Sequence, residues 1–285
     1  MRIGVVIEVP FPPNFRKQLR LFGELLPYTV DVISPLGTFN VEDVDELSNR
    51  SKRLMYPSLF LNLCRYIYRY KPHVLMNFSG PMVVVPLMVA AGGLFRVPVI
   101  ARLPGNTFGE YRFSKGWRRW FYYFFRNILG KLSLRFASKI VVMGPFERER
   151  LVKSFPEDKV HVIPPLIDSN TNNMEKEESK RSLGLEGLKV ILFVGRLSRR
   201  KGADKLNRIV GEVGKQRKDI VFCVVGDGEY REELAELENP KCVGEFGSEE
   251  MSRYYASADL LVHPSRVEGL PNVVLEALSH RVPVV

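Results

Sequence analysis

Two glutamates with seven residues between them, Glu268 and Glu276, stand in the stretch Ser265-Arg266-Val267-Glu268-Gly269-Leu270-Pro271-Asn272-Val273-Val274-Leu275-Glu276-Ala277. The stretch follows an apolar run that closes at His263-Pro264, and Pro271 suits a helix start. A helix beginning there turns free backbone N–H groups and the positive end of its dipole toward the preceding loop, which makes a ready phosphate site. Gly269 lets the backbone come close to a ligand. Asn272 and Glu276 are four apart and share one face of that helix. A carboxylate would repel a phosphate at contact distance but suits a ribose, whose two vicinal hydroxyls can donate to its two oxygens. Glu268, on the loop, is placed to accept from hydroxyls beyond the phosphates. On spacing alone, a plain loop–helix junction with surface glutamates reads equally well.

A second group precedes it in the chain, Gly195-Arg196-Leu197-Ser198-Arg199-Arg200-Lys201-Gly202, again between a buried strand and a helix. Arg196 offers a planar fork and Lys201 a point charge, a pair able to clamp a diphosphate. Four cations so close repel one another unless an anion or solvent screens them; a solvated basic loop is the alternative. The third group, Val225-Gly226-Asp227-Gly228-Glu229, is a strand followed by a tight turn, and by itself implies no more than that.

The elements that must carry these groups alternate along the chain. Strands are expected at Ile3–Val9, Thr29–Ser34, Val74–Asn77, Val97–Arg102, Ile140–Met143 and Val160–Ile163, with helices at Asn14–Leu26, Leu54–Tyr70 and Val83–Phe95. After Pro164-Pro165 a polar stretch, Asp168–Ser182, reads as a domain linker. A second block then begins, with strands at Lys189–Val194, Ile220–Val225, Lys241–Val243, Leu260–His263 and Val282–Val285. Its helices are Asp204–Lys215, Tyr230–Leu237, Ser248–Ala256 and Asn272–His280. Such alternation implies parallel sheets covered on both faces. The fold class is therefore α/β, with two Rossmann-like domains, 1–166 and 167–285, facing a cleft. A ligand is expected at the carboxyl ends of the strands.

Composition narrows the rest. With 45% hydrophobic and 26% charged residues, the 285-residue chain is globular rather than disordered. Its net charge of +10 favours anionic partners, namely phosphorylated substrates, an acidic membrane or nucleic acid. No nucleic-acid motif accompanies the charge, so that partner is not expected. The three cysteines, Cys64, Cys223 and Cys242, form no disulfide framework, and no zinc motif arises from the scattered histidines. These features lead to an expected cytoplasmic location. The D-x-D at Asp43-Val44-Asp45 lies in an acidic stretch and no metal role is expected of it. Trp117, Trp120, Phe121, Phe124, Ile128, Leu132 and Phe136 recur at helical spacing beside Arg118, Arg119, Arg126, Lys131, Arg135 and Lys139. That stripe fits either a helix packed on its own sheet or one lying on an anionic membrane surface.

Taken in order, Phe193-Val194-Gly195-Arg196-Leu197 with Lys201-Gly202, Val225-Gly226-Asp227-Gly228, Tyr255-Ala256-Ser257-Ala258-Asp259, Pro264-Ser265, Glu268-Gly269 and Glu276-Ala277 resemble the family-4 glycosyltransferases of GT-B fold. The resemblance covers roughly residues 189–285 and implies retaining transfer of a sugar from a nucleoside diphosphate donor, without a divalent metal or cofactor. By carry-over, Arg196 and Lys201 bind the diphosphate and Glu268 the donor-sugar hydroxyls. The backbone of Gly269, Leu270, Pro271 and Asn272 serves sugar and phosphates, and Glu276 binds the ribose. The N-terminal half fits more loosely: Pro12-Pro13-Asn14-Phe15-Arg16 replaces a Gly-Gly loop, and Leu103-Pro104-Gly105-Asn106 stands where many relatives carry a histidine. Arg16, Arg102 and Asn106 are the candidates for the acceptor side, where a glycan or lipid-linked acceptor is expected. Relatives continue past a segment like Arg281–Val285, so the second domain is expected to be incomplete, to be completed by a partner chain, or to belong to a non-catalytic fragment that binds a nucleotide sugar, membrane or protein.

Overall fold

Strand–helix alternation becomes two separate sheets in the computed structural model, which describes residues 1–7, 13–40, 55–78, 81–105, 108, 116–167, 175–237, 240–244 and 248–285. The chain divides into one unit at Met1–Leu166 and a second at Ile167–Val285. Among the described residues the first unit holds seven strands: β1 (Arg2–Val6), β2 (Thr29–Ser34), β3 (Gly37–Asn40), β4 (Val74–Asn77), β5 (Val99–Leu103), β6 (Lys139–Val142) and β7 (Val160–Val162). Their order is β3-β2-β1-β4-β5-β6-β7, and β3 alone is antiparallel to its neighbour. Residues of β1 alternate between two cores. Val5 and Ile7 pack with Leu19 of α1 (Pro13–Leu25), while Val6 meets Leu59 and Leu63 of α2 (Met55–Tyr70) and Met88 of α3 (Pro81–Phe95). Burial of both faces is why these strands read as near-continuous apolar runs.

At the carboxyl ends of β4 and β5 the packing turns polar. Asn77, fully buried, joins the two strands: its Nδ2 donates to the Arg102 carbonyl at 2.7 Å and its Oδ1 accepts from the Arg102 N–H at 2.7 Å. Arg102 is itself buried, with its guanidinium 4.3 Å above the Phe78 ring. It donates to the Phe78 carbonyl and to Gln18 Oε1, each at 3.2 Å. Burial holds its pKa down at about 10. The residue expected on the acceptor side is thus engaged inside the first unit rather than presented to solvent, because strand β5 turns its side chain toward α1 and the end of β4.

The aromatic stripe forms one helical stretch: α4 (Trp117–Tyr123), a π-helical turn (Phe124–Gly130) and α5 (Lys131–Phe136). Among the described residues, Gly130, Ser133, Leu134 and, just beyond, Ala137 are buried toward α3 and the β5–β6 core, while the side chains of Arg118, Phe121 and Arg126 lie outside the described residues. The larger side chains of Trp117, Trp120, Phe124, Ile128, Leu132 and Phe136 point outward and are exposed. The stretch thus packs on its own unit, but through a face other than the stripe, whose described large side chains stay exposed.

The second unit begins with α7 (Lys176–Ser182), after α6 (Pro145–Leu151) of the first. Its strands are β8 (Lys189–Val194), β9 (Ile220–Val225), β10 (Pro240–Val243) and β11 (Leu260–Leu261), all parallel, in the order β10-β9-β8-β11. The helices are α8 (Ala203–Gln216), α9 (Arg231–Ala235), α10 (Ser248–Ser257) and α11 (Asn272–Ser279). Val190, Leu192, Val221, Cys223 and Val225 pack toward Tyr254, Tyr255 and Ala277, whereas Phe193, Phe222 and Val224 pack toward Leu206, Val210 and Leu234. Of the strand expected at Val282–Val285, a single parallel bridge forms, Leu261 to Val284.

Asp259 ties this unit together and corrects the extent of the linker. The end of the expected linker is helical, and α7 is anchored. Lys180, with its side chain almost wholly buried, donates to Asp259 Oδ2 at 2.9 Å and to the Leu188 carbonyl at 2.9 Å, while Lys176 reaches Asp259 Oδ1 at 3.2 Å. The Val190 N–H donates to the same carboxylate at 2.8 Å. Burial pushes the Asp259 carboxyl up, but these hydrogen bonds and cations outweigh it and hold it below the usual aspartate range. A depressed carboxyl stabilises the fold above its unfolded pKa and loses that contribution as pH falls through the folded one. Replacing Asp259 by Asn is predicted to cost about 2 kcal/mol in urea unfolding at neutral pH, the scale of hydrogen bonds to a charged group. The difference between the two proteins should shrink as pH drops below about 4.

Candidate functional site

The order of strands selects the place. In the second sheet, β8 has β9 on one side and β11 on the other, so the connections leaving β8 and β11 diverge at a topological switch point. The carboxyl ends of such strands form the crevice in which α/β sheets bind ligands. The loop leaving β8 carries Arg196 and Lys201, and the loop leaving β11 carries Glu268 to Pro271. Two stretches sixty-odd residues apart in sequence are brought to one place by topology.

Three glycines allow the loops to touch backbone to backbone. Gly226 has φ +144° and a Cβ there would overlap the Gly195 carbonyl oxygen. A Cβ on Gly228, at φ +151°, would lie 2.5 Å from the Leu197 carbonyl oxygen. Gly202 ends the 3₁₀ turn Arg199–Lys201 in the left-handed region, φ +79°, pressed against the Pro264 carbonyl. Hydrogen bonds follow these contacts: Gly195 N–H to Val225 O at 2.9 Å, Leu197 N–H to Asp227 O at 2.9 Å and Arg266 N–H to Arg200 O at 3.0 Å. Arg266 also grips Asp204 through two hydrogen bonds of 2.6 and 2.7 Å and donates to the Arg199 carbonyl at 2.6 Å. The hydrogen bonds from Arg266 and its charge hold the Asp204 carboxyl below its usual range.

Within this frame Lys201 Nζ lies 2.6 Å from Glu268 Oε1, with both side chains about four-fifths buried. Ser265 Oγ donates to the same oxygen at 2.8 Å. Glu268 Oε2 has no hydrogen-bond partner among the described residues. Part of the crowded positive charge of the basic loop is thereby balanced locally. Arg196 is exposed, and its guanidinium has no hydrogen-bond partner among the described residues. Gly269, Leu270 and Pro271 are half-buried, and Pro271 leads into α11 with φ −74° and ψ 130°. Asn272 opens that helix. No side chain caps its first turn and no acidic residue lies in it, leaving the N–H groups and the dipole available to an anion.

Glu276, one turn further on, is held differently. Tyr255 of α10 donates its hydroxyl to Glu276 Oε2 at 2.7 Å. His280 stacks on the Tyr255 ring, with centroids 5.2 Å apart; its Nε2 lies 3.0 Å from Ser252 Oγ, and its Nδ1 lies 2.9 Å from the Glu276 carbonyl and 3.4 Å from Ser279 Oγ. Burial first, and then the neighbouring Glu276 carboxylate, push the Tyr255 phenol well above its usual range, so the hydroxyl stays a donor. As in Glu268, one carboxylate oxygen is engaged in orientation, and the other has no hydrogen-bond partner among the described residues.

Lys201 and Glu268 are thus in contact. Arg16 falls in α1 but its side chain lies outside the described residues, as do Asn106 and Asp43-Val44-Asp45. Three roles are not legible in the sequence. Tyr255, present there only as part of the Tyr255–Asp259 motif, orients Glu276, with His280 stacked on its ring. His263, at the end of the β11 run, has a buried Nε2 without a partner among the described residues. Burial above all, helped by the Lys201 charge and opposed by Glu268, holds its pKa below the usual histidine range. A histidine between an apolar strand and Pro264-Ser265 was the available clue.

Comparison with known proteins places this architecture. The model of glycosyltransferase family 4 matches residues 26–171, and that of glycosyl transferases group 1 matches residues 188–285. The chain belongs to glycosyltransferase family 4. An uncharacterized glycosyltransferase of Methanocaldococcus jannaschii is 31% identical over 169 residues, 54% of this chain and 43% of that protein. The GDP-mannose-dependent alpha-(1-6)-phosphatidylinositol monomannoside mannosyltransferase of Mycolicibacterium smegmatis is 29% identical over 167 residues, 52% of this chain and 44% of that protein. The chain therefore spans less than half the length of these relatives. Anabaena HepE, solved in complex with UDP-glucose, superposes with a TM-score of 0.68 at 16% identity, covering 100% of this chain and 79% of that one. The fold is GT-B.

The glycine contacts yield a direct prediction. Gly226→Ala should destabilise the second unit by about 1–3 kcal/mol, through strain at positive φ and overlap with Gly195. Gly93→Ala, in helix α3 where nothing lies within 4 Å of the added carbon, should hold or raise the urea midpoint, since alanine is favoured over glycine inside a helix.

Proposed function

We propose that this protein transfers a sugar from a nucleoside diphosphate sugar to a glycan or lipid-linked acceptor, with retention at the anomeric carbon. The observation that carries the reading is the pair of carboxylates, Glu268 and Glu276. Each is oriented through one oxygen, and they stand before and after the uncapped start of α11, with Lys201 in contact with the first. In this reading the free oxygen of Glu276 accepts from the ribose hydroxyls and that of Glu268 from the donor sugar. Arg196, Lys201 and the backbone from Gly269 to Asn272 take the diphosphate. During transfer the bond from anomeric carbon to diphosphate oxygen breaks. The acceptor oxygen bonds to that carbon on the same face, and its proton leaves to the departing phosphate or to water. The negative charge that develops on the diphosphate meets cations and helix N–H groups already in place, an electrostatic stabilisation that requires no divalent metal.

The activities of relatives support the same class. One is dependent on GDP-mannose and acts on a phosphatidylinositol mannoside, and HepE holds UDP-glucose. Which base and sugar this chain takes rests on a few hydrogen bonds from Glu268 and its neighbours. A panel of UDP-, GDP- and ADP-sugars, with nucleotide release followed in the presence of glycan and lipid-linked acceptors, tests the proposal. Turnover with one donor class, retained in EDTA, is expected. Donor-dependent thermal stabilisation without turnover under any acceptor would leave a binding module instead. Glu276→Ala is predicted to weaken donor binding by about 1.5–3 kcal/mol, measured by calorimetry. Unchanged affinity would reject the ribose role.

A further inference from the structure

The helical stretch from Trp117 to Phe136 presents six large apolar side chains to solvent among its described residues. Trp117 is 73% exposed, Trp120 75% and Phe136 69%, with Phe124, Ile128 and Leu132 about half exposed between them. Their spacing of three or four residues sets them along one face, and the π-helical turn inside the stretch keeps a repeat of four in line. Most solitary exposed apolar residues need no explanation, but a contiguous run of this size marks an interaction surface.

Charge identifies the partner. From Tyr111 to Phe146 the sequence contains no Asp or Glu, and six cations, Arg118, Arg119, Arg126, Lys131, Arg135 and Lys139, lie among or just after the aromatic residues; Lys139 is paired with Asp158 at 3.9 Å, so the charge of the stretch rests on the other five. A second copy of the chain would bring the same positive face against this one, at a cost in repulsion. An anionic bilayer meets both features, taking the aromatic rings at headgroup depth and the cations at its phosphates. No described helix is long and apolar enough to cross a membrane, so the stretch would lie in the interface.

A neighbouring cleft extends the face. It encloses about 390 Å³ and is lined by Val89, Val97, Pro98, Val99 and Phe136 together with Arg96. Phe136 belongs to both features. An apolar lining with one guanidinium has the chemistry of a site for the chain and phosphate of a single anionic lipid.

The geometry points to a peripheral membrane face: the Trp117–Phe136 helix lies in the interface of an anionic bilayer, with the Arg96–Phe136 cleft receiving one lipid. The surface lies in the first unit and the donor residues in the second, so this inference stands apart from the transferase reading.

The sequence has two tryptophans, and both lie on this face, so tryptophan emission of the full chain, excited selectively at the red edge of its absorption, reports on it. Vesicles of phosphatidylcholine with phosphatidylglycerol should shift the emission to the blue at low salt, and pure phosphatidylcholine should not. Sedimentation with the anionic vesicles should be lost in Trp117→Glu/Trp120→Glu. It should fall at least about tenfold in affinity in Arg119→Glu/Arg135→Glu, both with unchanged circular dichroism. Donor binding measured on the same samples separates failure here from failure of the transferase proposal. Unshifted emission with no sedimentation would overturn the inference. So would equal binding to neutral vesicles, or self-association abolished by the tryptophan substitutions in a protein that ignores vesicles.

Discussion

The close approach of three backbones at Gly202, Gly226 and Gly228 is the constraint from which the proposed donor site follows. Side chains at these positions would collide with the carbonyls of Pro264, Gly195 and Leu197. Because they are absent, the loops leaving β8, β9 and β11 pack against one another instead of splaying. Arg266 then closes the assembly from the last loop back to Asp204 and Arg199. The position of Lys201 relative to Glu268 is a result of this contact, and no flexible reach of a long lysine is required to explain it.

On that frame the electrostatics have a simple logic. A basic loop at a helix start is unfavourable when empty, and Glu268 answers part of that charge while leaving one oxygen available. An incoming diphosphate would compete with Glu268 for Lys201 and free the carboxylate for hydroxyls of the attached sugar. Glu276 is fixed by a neutral donor, Tyr255, and so keeps its full charge for a neutral partner such as a ribose. The two acids therefore differ in what holds them, which matches the two kinds of group they are proposed to bind.

Much of this was legible in the residues. The apolar runs of β2, β4, β8 and β9 appear in the fold with the bounds their patterns imply, since strands buried on both faces carry an unbroken signal. Short or polar elements were harder. The antiparallel β3 is four residues long and half exposed, and α7 is so polar that it reads as linker until Asp259 is seen to anchor it. At the site, spacing alone left the acid pair and the glycine turns open, and it was their ordered resemblance to a known family that singled them out. The grip of Tyr255 and His280 on Glu276 was not legible, because it joins side chains of two helices whose mutual placement is a property of the packed core. The same holds for Arg102, whose place inside the first unit depends on Gln18 and Phe78, far away in sequence.

The central claim is that Lys201 serves two anions in turn, Glu268 at rest and a diphosphate when the donor is bound. Calorimetric titration of Glu268→Gln with a nucleoside diphosphate and with the matching nucleotide sugar tests it most directly. The account predicts that the variant binds the free diphosphate at least as tightly as the parent, since Lys201 is released and a repelling charge is gone, while it binds the nucleotide sugar more weakly. An equal loss of affinity for both ligands would contradict it.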